Sequence, residues 1–161
     1  MSGLPVEAAI ARPIGKERFA TRIDLPGGAI LADEPVEVGG GGNGPTPYQL
    51  LSAALAACTS MTLRLYAARK GLELGDYSVS VDHDLAGGHD RFTRRLIFPP
   101  SLGPDEQAAL AGVAEKCPVH RTLALGGAEI VTVTEPPPPP PPPVGDPPEA
   151  HVAQMEQACA D

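Results

Sequence analysis

Of the three cysteines of this 161-residue chain, Cys58 and Cys117 are the residues best suited to covalent chemistry, and Cys159 is expected to take no part in it. A thiolate attacks the oxygen of a peroxide, and a second thiol resolves the resulting sulfenic acid as a disulfide. Cys58 stands inside SAALAACTSM, an apolar helical pattern, where a cysteine is more often a core residue than a nucleophile. Cys117 follows a helical stretch and precedes Pro118, so it can cap a new short helix with the proline at its first position. Its sulfur would then face free N–H groups and the positive end of the helix dipole, which lowers a thiol pKa. Spacing alone leaves open whether Cys58 and Cys117 meet.

Other constellations carry less. Gly39 to Thr46 falls into the frame of a phosphate-binding loop, but Pro45 stands where the phosphate-reaching lysine belongs. A flexible connection delivering the chain to a helix start is the expectation there. Asp82, His83, Asp84, His89 and Asp90 crowd one hairpin, yet strand alternation sends Asp82 and Asp84 to one face and His83 to the other. That cluster reads as a solvated hairpin tip. Cys117 and His120 have the spacing of half a zinc site, without a second half.

The whole-chain balance narrows the partners. A formal net charge of −8 argues against a phosphate backbone, and the absence of Trp with few other aromatics removes stacking platforms for single strands. No nucleic acid is expected. The first residues, MSGLPVEAAIARPIG, lack the charged-then-apolar order of a signal peptide, and no stretch reads as a membrane span of ~20 apolar residues. An odd number of widely spaced cysteines does not read as a secreted disulfide framework. A soluble, cytoplasmic protein is the expectation.

The elements that must position the cysteines follow from local pattern. Residues 16 to 33 read as two short strands around Pro26-Gly27-Gly28, with Phe19 and Ile23 on one face and Arg18 and Arg22 on the other. Thr46 is an N-cap, Pro47 a first helical residue and Gly71 a C-cap for a long helix over 46–70. Leu50, Leu51, Ala54, Leu55, Cys58, Met61, Thr62 and Leu65 form its apolar stripe. YSVSVDHD (77–84) alternates, with Tyr77, Val79 and Val81 inward, and turns at Gly87-Gly88 into RFTRRLIF (91–98). Pro104 opens a second helix, CPVHRTL follows, and AEIVTVT (128–134) reads as a last strand. Eight consecutive prolines then exclude helix and sheet, which predicts a folded domain over 1–135, a polyproline linker over 136–148 and a tail over 149–161 holding Cys159.

The order of a glycine-rich loop, PTPYQLLSAALAACTSMTLRLYAARKGL, a hairpin and AEKCPVHRTL resembles the OsmC/Ohr family of organic hydroperoxide-handling proteins. DEP at 33–35, GP at 44–45, AAC at 56–58 and CPVHRTL at 117–123 are most similar to its OsmC-like branch, and the likeness covers roughly residues 14 to 135. It implies an α+β, OsmC-like fold: a long central helix packed on antiparallel sheet, in an intertwined homodimer with its sites at the interface. It also implies a thiol-dependent peroxidase that reduces organic hydroperoxides, with Cys58 reactive and Cys117 resolving. Arg18, or else Arg22, would stand beside the thiolate, and an external dithiol, a lipoyl or other thiol donor, would be the reductant. No metal or bound organic cofactor is needed for that cycle. The alternative is a non-catalytic member binding a small apolar ligand at the same interface. The sequence departs from the family's peroxidases at Tyr48, which stands where they carry an acidic residue that orients the arginine. Glu34 is the remaining candidate for that task.

Overall fold

Short β-prone runs separated by glycine turns build the N-terminal part of the chain. A computed structural model describes residues 9–126, 128–132 and 134. In it Ile10–Pro13 (β1), Thr21–Leu25 (β2) and Gly28–Ala32 (β3) form an antiparallel sheet in the order β1-β2-β3. The two strands expected around Pro26-Gly27-Gly28 are β2 and β3, with Ile23 opposite Ile30. β1 adds an edge strand that the sequence pattern did not signal, because Pro13 cannot donate to a ladder and disguises it.

The long helix, Pro47–Lys70 (α1), starts and stops where its caps dictate. The Thr46 hydroxyl accepts from the Gln49 amide at 3.2 Å, and the Gln49 side chain accepts from the Thr46 amide at 2.9 Å. This reciprocal pair satisfies two of the helix's free donors. Gly71 ends the helix in the left-handed region at φ 66°, where a side chain would be strained.

The face α1 buries is not the predicted one. Ser52, Leu55, Thr59, Leu63 and Ala67 are buried, whereas Leu51, Met61 and Leu65 of the expected stripe are exposed. The helix is apolar on several sides, and two small polar residues sit on the face that packs. Its 24 residues, with a mean hydropathy of 1.3 over the most apolar window, would also suffice to cross a membrane, contrary to the sequence expectation. Core helices meet that criterion too, and α1 is capped at both ends and packed along one face.

Ser78–Ala86 (β4) and His89–Ile97 (β5) form the expected hairpin, and α1 lies against β4. Its two-residue turn needs positive φ at both positions, which Gly87 (61°) and Gly88 (81°) supply. Alternation holds along β4: Tyr77, Val79, Val81 and His83 are partly buried, and Ser78, Ser80, Asp82 and Asp84 are exposed. Pro104–Ala114 (α2) and Pro118–Leu125 (α3) follow, each with proline at its first turn. Leu63, Ala67, Leu74, Leu102, Leu110, Val113 and Ala114 form the core, flanked by Tyr77, Val79, Leu96 and Phe98. It joins the C-terminal half of α1 to α2 and the base of the hairpin.

The last strand expected over 128–134 is not formed at residues 128–132 or 134. A β-pattern supplies propensity but no ladder partner. The chain divides into one unit through Ala128 and another from Glu129. The predicted boundary at residue 135, the polyproline linker and the tail with Cys159 lie outside the described residues.

Candidate active site

Cys58 and Cys117 are brought together. α1 carries Cys58 half-buried, and α3 packs against α1 so that Cys117, its N-cap, lies beside it with no exposed surface. Cys117 also joins two helices: its amide donates to Ala114 O at 3.3 Å, and its carbonyl accepts from the Arg121 amide at 3.1 Å. Burial opposes ionisation of Cys117, but the Cys58 thiol, the His120 amide, the Thr59 hydroxyl and the Val119 amide together outweigh it. The Cys117 thiol is therefore held below its ordinary value, as the N-cap position predicts. Burial pushes the Cys58 thiol up, and its hydrogen bond with Cys117 and the charge there raise it further, while the Val119 amide opposes this. Of the two thiols, Cys117 is the easier to ionise. Such neighbours titrate as a unit.

The arginine nearest this pair by hydrogen bonding is not the one the sequence suggested. Arg94, midway along β5, donates through Nη1 to Thr59 Oγ1 at 3.1 Å and to Ala114 O at 2.9 Å. Arg18 instead lies over the Phe19 ring, 4.9 Å from its centroid, and Arg22 pairs with Asp24 at 2.8 Å. Among the described residues no hydrogen bond or ion pair joins Arg18 to either cysteine, or Glu34 to Arg18. Arg94 had a signal in the sequence. Phe92, Arg94, Leu96 and Phe98 alternate, so Arg94 occupies an inward register that an arginine enters only with partners.

The glycine-rich loop is tied down rather than loose. Asp33, buried at the end of β3, accepts from the amides of Glu34 (2.8 Å), Gly41 (3.0 Å) and Asn43 (3.2 Å), and from the Asn43 side chain (3.2 Å). The Asn43 amide foremost holds its carboxyl below the ordinary value, against the effect of burial; the other donors add to the lowering. At Gly44 a Cβ would come within 2.3 Å of Leu31 O, so only glycine permits this approach to β3.

His83 also departs from the solvated-tip reading. Its ring stacks on Tyr48 at 4.1 Å between centroids, its Nε2 meets Asp90 Oδ1 at 2.9 Å, and Phe92 packs at 4.8 Å. The inward alternation of β4 was the sequence signal for it. Tyr48 and His83 wall a cavity of about 590 Å³ with Gln49, Ser52 and Ala56, on the first turns of α1 and away from the sulfurs. A smaller cavity of about 350 Å³ lies nearer the chemistry. Leu55, one helical turn before Cys58, lines it with Asp90, Phe92, His120, Leu123 and Ala124. No cluster able to hold a metal ion is present among the described residues.

A long capped helix carrying one cysteine, with a short helix capped by another packed against it, is the arrangement that the OsmC resemblance implies. Residues 40–132 match the family model described as OsmC-like protein, and the chain belongs to that family. Among solved structures it is similar to an organic hydroperoxide resistance protein OsmC of Legionella pneumophila, at 25% identity and a TM-score of 0.54, over 74% of this chain and 91% of that one. An OsmC-like protein of Mycoplasma pneumoniae aligns at 19% identity and a TM-score of 0.58, over 73% and 86% of the two chains. The organic hydroperoxide resistance protein OhrB of Bacillus subtilis aligns at 22% and 0.51, over 71% and 89%. None of the curated proteins matches. The α+β architecture expected from the sequence, a long helix on antiparallel sheet, is the observed one.

Proposed function

We propose that this protein reduces organic hydroperoxides with the Cys58–Cys117 pair. The observation that carries the reading is the meeting of the two sulfurs at the start of α3, where the Cys117 thiol, held below its ordinary value, lies beside a half-buried Cys58. Cys117 is closed to solvent, so the peroxide meets Cys58. The Cys58 sulfur attacks the terminal peroxide oxygen while its proton passes to the Cys117 thiolate. The O–O bond breaks, giving the Cys58 sulfenic acid and an alkoxide, which takes a proton and leaves as the alcohol. With that proton drawn from Cys117, the regenerated thiolate attacks the sulfenic sulfur. The disulfide forms and hydroxide departs. Two electrons move from the thiols to the peroxide, and an external dithiol returns them.

Members of the fold named for organic hydroperoxide resistance support this substrate class. A homodimer completes the proposal: the exposed Leu51, Met61 and Leu65 of α1 are the face a second copy would cover, and Arg18 would reach the sulfurs across that interface. Localisation in the cytoplasm suits the reduced resting pair.

A second reading is favoured by one observation, the Tyr48–His83 stack beside the larger cavity at the position where the resemblance calls for an acid. On that reading the protein binds a small apolar ligand without turnover. Peroxide consumption separates the two. With an alkyl hydroperoxide and excess dithiol, the wild type turns over, Cys58→Ser does not, and Cys117→Ser stops after one equivalent with a trappable sulfenic acid. Peroxide consumption by Cys58→Ser at the wild-type rate would sink the enzyme reading.

A further inference from the structure

Ser52 lies on the packed face of α1, 8% exposed, and its hydroxyl makes no hydrogen bond among the described residues. The other hydroxyls of the helices behave differently. Thr59, on the same face, accepts from Arg94 at 3.1 Å. Thr62 and Thr122 donate to carbonyls four residues back, Cys58 O at 2.8 Å and Pro118 O at 3.1 Å. That back-bond is a common destination of a helical hydroxyl, and Ser52 does not take it. Among the described residues no fully enclosed side-chain oxygen lacks a partner, so the Ser52 oxygen is not sealed in. Its remaining exposure opens on the cavity of about 590 Å³ that it lines between α1 and β4. A hydroxyl buried to this degree without a protein partner is costly, and a ligand that bonds to it recovers the loss.

Other polar groups around the cavity are already engaged. The Thr46 hydroxyl accepts from the Gln49 amide, and Gln49 Oε1 accepts from the Thr46 amide. Asp82 pairs with Arg95, and His83 Nε2 meets Asp90. Left over are the Ser52 hydroxyl and the Gln49 side-chain NH₂, three residues apart and therefore on one side of the helix. Both can donate, and neither is charged. We propose that this cavity is a binding site for a small uncharged molecule with an apolar ring and a carbonyl or amide oxygen, which Ser52 and Gln49 hold by that oxygen. The ring would lie over Ala53 and Ala56, whose short side chains leave the slot open, between Val81 and the Tyr48–His83 stack. The volume is in the range of small-molecule sites. Charge narrows the choice further. A carboxylate would find no cationic side chain free on the walls and would face Asp82, while a cation would find Asp82 already paired. The second reading above uses the same cavity, but this proposal does not depend on loss of turnover. It also requires a hydrogen-bond acceptor, which a purely apolar ligand lacks.

Benzamide, which carries the ring and the amide, is the probe. It is titrated into the full-length reduced protein and followed by nitrogen–proton correlation spectra. Saturable shifts are expected at the backbone amides of Ser52 and Ala53 and at the Gln49 side-chain amide, with the Cys117 amide unmoved. Ser52→Ala should weaken binding by about tenfold, near the upper weight of one neutral hydrogen bond. Ala53→Leu fills the slot from an exposed position, so it should abolish binding and keep the folded spectrum. Benzoate, which adds a charge, and toluene, which lacks the acceptor, should each bind about tenfold more weakly than benzamide. The absence of saturable shifts with benzamide would overturn the proposal. So would undiminished affinity in a folded Ser52→Ala, or benzoate binding as tightly as benzamide. Toluene binding as tightly would overturn it in favour of the plain apolar ligand of the second reading. Shifts centred on Cys117 instead of Ser52 would move the ligand to the thiols and overturn it as well.

Discussion

Tyr48 lies flat on His83, with ring centroids 4.1 Å apart and planes within 9°. The stack pins the first turn of α1 to β4, and the imidazole is held from its other side by Asp90 and Phe92. The side chain that departs from the family's acidic residue is thus part of the packing between helix and hairpin.

Truncating that ring should be felt at once. Tyr48→Ala is expected to lower unfolding stability by about 1 kcal/mol, the worth of an aromatic pair, whereas Tyr48→Phe should change it little. Urea unfolding followed by circular dichroism reads both. Equal stability of the two variants would mean that the stack is incidental.

Acid should release the glycine-rich loop before the core. Asp33 has a folded pKa below its unfolded value of about 3.9, so its contribution is complete above that value. It is lost as the pH falls through the lower folded pKa. Amide exchange at Gly41 and Asn43, corrected for intrinsic rates, should stay slow at neutral pH and speed up only in that acid window. Asp33→Asn, which places a donor among donors, should expose both amides at every pH. Persistent protection in this variant would show that the carboxylate is not the anchor.

Leu63 and Leu65 separate the two sides of α1. Leu63 is fully buried, and Leu63→Ala should cost about 2–5 kcal/mol through lost burial and a cavity. Leu65 is 62% exposed in the single chain, so Leu65→Ala should stay within about 0.5 kcal/mol unless a second copy covers it. The homodimer proposed above predicts a larger loss, together with weaker association in sedimentation. A neutral Leu65→Ala that leaves association intact would place the interface elsewhere.

The cysteine pair should titrate in two separated steps. The first thiolate forms below the ordinary thiol range and the second above it, because a second charge is opposed by the first. Cys58→Ala removes a donor to Cys117 and should raise its titration midpoint, read by thiolate ultraviolet absorbance. Cys117→Ala removes both the hydrogen bond and the charge that hold Cys58 up, so the Cys58 midpoint should fall. Independent titration, with neither variant altering the other sulfur, would contradict the contact.

What the sequence made legible was local. Thr46, Pro47, Gly71, Pro104 and Pro118 punctuate helices through their own backbone chemistry, and Gly87-Gly88 turns a hairpin by itself. The buried face of α1 was not legible, since alanine and leucine surround the helix and its packed side includes Ser52 and Thr59. Three-dimensional neighbours select that face, and periodicity does not name them. The same limit hid the partners of Asp33 and Arg94. DEP and RFTRRLIF contain both residues, but the bonds run to a loop ten residues on and to a helix on the far side of the hairpin. The approach of Cys58 to Cys117 came from the family resemblance, because nothing in the spacing of two cysteines measures a distance.

Those two sulfurs lie side by side although about sixty residues of chain separate them. A bond between them would close a long loop in the unfolded chain and remove about 4 kcal/mol of its conformational freedom on the chain-entropy account. The oxidised domain would then resist heat and protease better than the reduced one. A reductant would have to work against that difference, so the tightness of the fold and the ease of recharging the thiols become two readings of a single equilibrium.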